Sequence, residues 1–308
     1  MIVDGHVHAF PGVYGYTGSG ESRIDGRGLV HRGDGSYKRL LPPLARDGAF
    51  PAGVLLDYMD MAGVDRAVVV QGISYGPLND YVAGVVAAHG DRLIGCGMLD
   101  PFVEGSDRLY ERIVGRMGFR TLKFECSVPT GLAGIHAEFD YLASRWERIW
   151  DQIDADGLTV ILDTGMPGTL SFNPERLAEV VDRYRRCRIV IAHLGFPPGP
   201  AAGAVLEQQW RSILDLGKRP NVWFELAGVW AVPGDVFPSP IGQQYVRRAV
   251  ETLGASRLIW GSDMPGILNT ITYEQALDFI AMRCEFLSAA ERDLILGANA
   301  LVVYQQMA

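Results

Sequence analysis

The 308-residue chain is 48% hydrophobic and 21% charged, and its 36 acidic against 28 basic side chains give a formal charge of -8. This composition supports a folded protein with a sizeable core, and the acidic balance excludes a general nucleic-acid binder, which carries a basic excess. No run nears the roughly 18 apolar residues of a membrane span, no basic-then-apolar leader opens the sequence, and Cys96, Cys126, Cys187 and Cys284 form no C-x-x-C pair, so the expectation is a cytoplasmic protein with reduced thiols and no membrane partner.

The first element is a strand. Ile2-Val3-Asp4-Gly5-His6-Val7-His8 ends in two histidines separated by one residue. Strand side chains alternate, so His6 and His8 face the same way, about 7 Å apart by the strand rise. Two imidazoles above one strand end are a common start to a metal site, although a hydrogen-bonded pair at a strand terminus reads the same. From Pro11 to about Phe50 no periodicity is evident. The stretch carries Arg23, Arg27, His31, Arg32, Lys38, Arg39 and Arg46 against Glu21, Asp25, Asp34 and Asp47. A loop this long inside a domain is usually functional or disordered. Its place after the histidine strand suits a lid and its basic excess suits an anionic substrate; a solvated insertion is the plain alternative.

From Pro51 helices and strands alternate. Apolar positions 54, 55, 58, 59 and 62 make a helix stopped by Gly63, and a strand follows at 67–70. A helix from Asn79 to Gly90 precedes a strand at 93–99, and one from Asp107 to Met117 precedes a strand at 119–125. The helix 144–156, stopped by Gly157, leads to a strand at 158–163, and the helix opened by Asn173-Pro174 leads to a strand at 188–193. Helices near 204–216 and 240–253 lead to strands at 222–226 and 258–263. A helix near 272–283 and another opening on the Ser288-x-x-Glu291 capping box close the chain. Eight buried strands alternating with helices, in one composition regime, predict a single α/β domain over residues 1–308, a (β/α)8 TIM barrel with a long lid-like loop after its first strand. An open doubly wound sheet would carry a Gly-rich loop where this chain has histidines.

Barrel active sites form at the C-terminal ends of strands. Here those ends carry His6 and His8, then Lys123 and Glu125 (on the face of Thr121, opposite Leu122 and Phe124), Asp163, His193, Glu225 and Asp263. Singly each has a dull explanation: Asp163 or Asp263 as a turn aspartate, His193 as a buried histidine, Lys123 with Glu225 as a structural ion pair. Jointly they point to a catalytic centre, because charges inside a barrel cost several kcal/mol each unless paired or metal-bound.

Asp4-Gly5-His6-Val7-His8, Gly63-Val64-Asp65-Arg66-Ala67-Val68-Val69, Ile191-Ala192-His193-Leu194-Gly195, Trp260-Gly261-Ser262-Asp263-Met264-Pro265 and Gly297-Ala298-Asn299-Ala300 together resemble the amidohydrolase superfamily. The likeness is to its amidohydrolase-2 branch, which includes aminocarboxymuconate-semialdehyde and resorcylate-type decarboxylases and some hydrolases. The resemblance implies one divalent metal ion, zinc first and manganese second, held by His6, His8 and Asp263, with His193 close by. Relatives usually place a histidine ligand where this chain has Asp163, so Asp163 is a fourth, oxygen ligand or the metal is lost. Lys123 stands where binuclear relatives carry a carboxylated lysine, although a contact to a substrate carboxylate or an ion pair with Glu125 suits a mononuclear branch better.

The expected activity is metal-dependent hydrolysis of a small anionic or aromatic ester, lactone or amide. Asp263 and His193 are the expected catalytic residues, and Lys123, Glu125, Glu225 and Arg23 the expected substrate contacts. The alternative on the same scaffold is non-oxidative decarboxylation of an aromatic or muconate-like acid, for which Tyr14, Tyr16 and Tyr37 are suited. A non-catalytic binding barrel and a metal-free lactonase are further readings. The partner is a small molecule, and a homo-oligomer is left open.

Overall fold

The computed structural model describes residues 1–43, 47–232 and 234–304. It begins with β1 (Val3–Val7), followed by four short strands, β2 (Tyr14–Thr17), β3 (Gly20–Ile24), β4 (Leu29–Arg32) and β5 (Tyr37–Arg39). Seven more strands alternate with helices: β6 (Arg66–Val69), β7 (Leu93–Gly95), β8 (Thr121–Glu125), β9 (Thr159–Asp163), β10 (Arg188–Ile191), β11 (Val222–Glu225) and β12 (Leu258–Ile259). β1, β6 and β7 form one parallel sheet, and β8 to β12 pair in order as a second. Backbone hydrogen bonds cross both gaps between them, from Gly97 N to Thr121 O (2.8 Å) on one side and from Gly5 N to Trp260 O and Asp263 N to His6 O (both 2.9 Å) on the other.

Strand alternation divides the core in two. Leu122, Phe124, Val160, Leu162, Ile189, Ile191, Val222 and Phe224 pack outward against the helices. Val3, Val68, Val70, Ile94, Cys96, Ile161, Val190 and Ile259 pack inward with Val303 and Tyr304 of the last helix, Asn299–Tyr304, which plugs that end of the interior. The helices follow from their patterns. Ser144–Asp156 buries Trp146, Ile149, Trp150 and Ile153 at i, i+3, i+4 and i+7 and stops at Gly157, whose φ of 63° suits glycine. Each of those large side chains contributes roughly 1.5–3 kcal/mol when removed from water, so a single truncation there costs a large part of a domain's net stability.

Three departures from the sequence expectation bear on the site. The stretch 11–50 is no irregular loop. Its four strands form an antiparallel sheet in the order β2-β3-β4-β5. The strand expected at 258–263 pairs only over Leu258–Ile259, because Trp260 N turns to Ile295 O (2.8 Å) and Asp263 takes a φ of 61°. The strand expected to end at His193 stops at Ile191, and His193 and Leu194 sit at φ 56° and 51°. L-residues pay for such backbone, and it clusters where a side chain must be aimed.

Candidate active site

β1 changes register against β6 between Asp4 and Val7. Val3 packs inward and Val7 outward, so the irregularity turns His6 and His8 towards the interior, an aiming role familiar for bulges beside active sites. Gly5 belongs to the same device, since a Cβ there would stand 2.8 Å from Ile259 Cγ2 and 3.0 Å from Trp260 O. Asp4, fully buried, accepts from His6 N (3.0 Å), Ser262 N (2.8 Å) and the Tyr273 hydroxyl (2.9 Å). It fixes the histidine strand to the segment that carries Asp263. Burial pushes its carboxyl up to about 6 against the pull of those hydrogen bonds.

The expected ligands converge. One nitrogen of His6, one of His8 and one carboxylate oxygen of Asp263 lie within 4.8 Å of one another. Asp263 Oδ1 is 3.4 Å from His8 Nε2 and 3.9 Å from His6 Nε2. Ligand atoms around a tetrahedral ion with bonds of about 2.1 Å stand roughly 3.4 Å apart, so this spacing fits one ion. Burial holds His6 well below the ordinary imidazole range, helped by Lys123, and lowers His8 as well. Both therefore present neutral nitrogens, the form that binds a metal. Burial works to raise Asp263, but the His8 hydrogen bond and the charges of His193, His8 and Lys123 leave it below the usual carboxylate range.

Glu225 is not a substrate contact. It has no exposed area, and its Oε1 stands 2.7 Å from His6 Nδ1, out of line for a directed hydrogen bond. A carboxylate on Nδ1 turns the lone pair of Nε2 towards the cavity. Burial lifts Glu225 well above its ordinary range. Neither Glu225 oxygen has a hydrogen-bond partner among the described residues, and a cation across the ring is the charge that would compensate it. The site fits a divalent ion. Lys123 makes no ion pair with Glu225 or Glu125 within 4.0 Å among the described residues, and its Nζ lies 3.3 Å from His6 Nε2.

Asp163 stands outside the three-residue cluster. Its Oδ1 accepts from Gly165 N (3.0 Å) and its Oδ2 lies 3.7 Å from His193 Nε2. The Asp163 carboxylate thus faces the His193 imidazole. His193 Nδ1 donates to Ala227 O (3.0 Å), which leaves Nε2 to handle a proton. Burial and then the neighbouring Asp163 push Glu125 up to about 7. Glu125 accepts from the Thr130 hydroxyl, with Ser127 beside it.

His6, His8, Lys123, Glu125, Asp163, His193 and Asp263 line one cavity of about 570 Å³, whereas Asp4 and Glu225 do not. On its other side the cavity is walled by the antiparallel sheet, through Ser22, Val30, Arg32, Lys38 and Leu40. Arg23 is not among them. Its guanidinium is 64% exposed, pairs with Glu21 at 2.8 Å and borders a neighbouring cleft, while Arg46 lies outside the described residues. Tyr75, which the sequence did not single out, stacks on His8 at 4.6 Å between ring centroids. No periodicity or motif marks it.

L-Fucono-1,5-lactonase of Burkholderia ambifaria is 32% identical over 169 residues, 50% of this chain and 57% of the lactonase, so the match spans just over half of that relative. Two solved structures share the fold from end to end. An amidohydrolase from Burkholderia multivorans with bound zinc has a TM-score of 0.73 at 19% identity, covering 99% of both chains. A probable 2-pyrone-4,6-dicarboxylic acid hydrolase from Acinetobacter baumannii, with citric acid bound, has a TM-score of 0.69 at 19% identity, covering 98% of both. No described helix is long and apolar enough to cross a membrane. The model of the amidohydrolase family matches residues 3–306, and the chain belongs to that family.

Proposed function

We propose that the chain is a metal-dependent hydrolase that opens a small lactone or ester, built as a closed eight-stranded barrel with residues 11–50 as a cover over the cavity. The convergence of His6, His8 and Asp263 in the cavity carries this reading. A divalent ion held by those three residues supplies Lewis acidity, polarising a carbonyl and acidifying water.

The chain's own residues do the rest. Asp263, 36% exposed and held at φ 61°, turns a carboxylate oxygen to the cavity, where it takes the proton of the attacking water. Water oxygen bonds to the carbonyl carbon, the ring C–O bond breaks, and the leaving alkoxide takes a proton from His193 Nε2. Asp163, 3.7 Å from that nitrogen, stabilises the protonated ring. Lys123 holds the substrate's carboxylate or carbonyl oxygen, and Glu125, with Thr130, holds a hydroxyl or ring oxygen. Glu225 orients His6, and Tyr75 packs His8 in place.

The lactonase relative, 32% identical over half of this chain, supports the reading, and the fold shared with a probable 2-pyrone-4,6-dicarboxylic acid hydrolase is compatible with it. The test is acid release from a panel of lactones, esters and amides by chelator-treated protein and by protein reconstituted with zinc or manganese. Reconstituted protein hydrolyses one class, and Asp263→Asn lowers kcat by at least about 10³-fold. Equal rates with and without metal would overturn the metal's part. Carbon dioxide release from hydroxybenzoates or muconate-like acids, with silence on the lactone panel, would replace hydrolysis by decarboxylation.

A further inference from the structure

We propose that Arg32, Lys38 and Ser22, on the inner face of the antiparallel sheet, form a subsite for a carboxylate carried by the substrate away from the bond that is cleaved. The substrate class is then an anionic lactone or ester. That class rests on the hydrolase reading, whereas the anion subsite stands on the geometry alone.

Register places the three residues together. Ser22 pairs with Arg32 across β3 and β4, and Val30 pairs with Lys38 across β4 and β5. Side chains two apart on a strand share a face, so Ser22, Val30, Arg32 and Lys38 project to one side, and all four line the cavity. The outward face consists of the opposite parity, where Arg23 pairs with His31 and His31 with Tyr37.

The two faces treat their cations differently. Outward and at the turns, every cation of β3 to β5 and their connections among the described residues has a partner: Arg23 with Glu21 (2.8 Å), Arg27 with Asp25 (2.8 Å), His31 with Asp25 (3.0 Å), and Arg39 with the Arg27 carbonyl (2.7 Å). Inward, neither Arg32 nor Lys38 has an ion pair or side-chain hydrogen bond among the described residues. Asp34, the nearest acid in sequence to Arg32, accepts from Ser36 N at 2.8 Å and feels the Arg32 charge without forming an ion pair with it among the described residues. Ser22 is 1% exposed, and its Oγ is without a hydrogen-bond partner among the described residues. A buried hydroxyl left unpaired costs about 1–3 kcal/mol, and one opposite a free guanidinium in a cavity wall is matched by an anion. Arginine offers a carboxylate two parallel N–H donors, lysine a point charge and serine a third donor. Val30 and Leu40 beside them suit an apolar body between the carboxylate and the reacting carbonyl.

The experiment is calorimetric titration of the full chain with glutarate and with glutaramide, followed by kinetics on a carboxylated and a neutral lactone. Glutarate binds at least about tenfold more tightly than glutaramide, Arg32→Gln removes that advantage, and Arg23→Gln, at an exposed outward position, leaves it within about twofold. Lys38→Gln and Ser22→Ala each weaken glutarate about threefold or more. On the carboxylated lactone Arg32→Gln raises KM about tenfold with kcat within about twofold, and the neutral lactone is unaffected. Equal affinity for glutarate and glutaramide, or an Arg32→Gln protein that binds glutarate like the parent, would overturn the subsite. Glutarate selectivity in a protein that opens no lactone would keep the subsite and overturn the hydrolase reading.

Discussion

His6 and Glu225, at the strand ends, have no exposed area, whereas across the same cavity Lys38 is exposed and Arg32 half-buried. At the strand ends ionisable groups are held by covalent neighbours in a parallel ladder and by buried partners such as Asp4, so their positions are fixed and their protonation is displaced from normal. On the antiparallel sheet cations stand at or near the surface, paired outward and without an ion pair inward among the described residues. One wall is suited to chemistry and the other to choosing what reaches it. The difference teaches that a single site draws on two regimes of electrostatics, a dry one where each lost partner is costly and a wet one where it is cheap.

Breaking the dry wall gives the largest effect. Glu225→Gln keeps the shape beside His6 but removes the charge that balances an ion, and metal affinity falls about 10- to 100-fold, measured by competition with a chromophoric chelator. An unchanged affinity would place Glu225 in the scaffold alone. Asp4→Ala leaves two buried N–H groups and a tyrosine hydroxyl without an acceptor and lowers stability by roughly 3 kcal/mol or more in urea unfolding, with metal binding lost at lower denaturant than in the parent.

The smallest effect sharpens the boundary between the walls. Glu125, pushed up to about 7, keeps its proton in the folded protein while the unfolded chain loses it from about pH 4.5 upward. The folded state therefore binds more protons over pH 4.5–7, and stability falls as pH rises through that window. Glu125→Gln, which mimics the protonated acid, is the more stable protein above pH 7, by about 1–3 kcal/mol, and the two converge below pH 4.5. Parallel unfolding curves at all pH values would show that Glu125 ionises freely.

The parallel strands were legible because each is buried on both faces and reads as an apolar run ending in a polar residue, as in Thr159–Asp163 or Val222–Glu225. His6, His8 and Asp263 were legible for the same reason, as ligand-grade residues where such runs stop. The antiparallel sheet was not. Its strands expose Tyr14, Tyr16, Glu21 and Tyr37, carry charge on both faces and offer no apolar alternation to count. Without strands there is no parity, and without parity Arg23 and Arg32 are interchangeable basic residues. Asp163 fell between. Its strand end was clear, but whether its carboxylate turned to the His6, His8 and Asp263 cluster or to His193 depended on Gly165 N and on the left-handed backbone at His193, neither of which leaves a trace in composition.

Asp4 accepts from the N–H of Ser262, 258 residues further along the chain, and Asp263 sits next to that contact. The His6, His8 and Asp263 cluster therefore forms only once two segments far apart in sequence have met, a contact of high sequence separation that is slow to form. Any ion held by that cluster would bind only after the long-range contact has formed, and would in turn stabilise it.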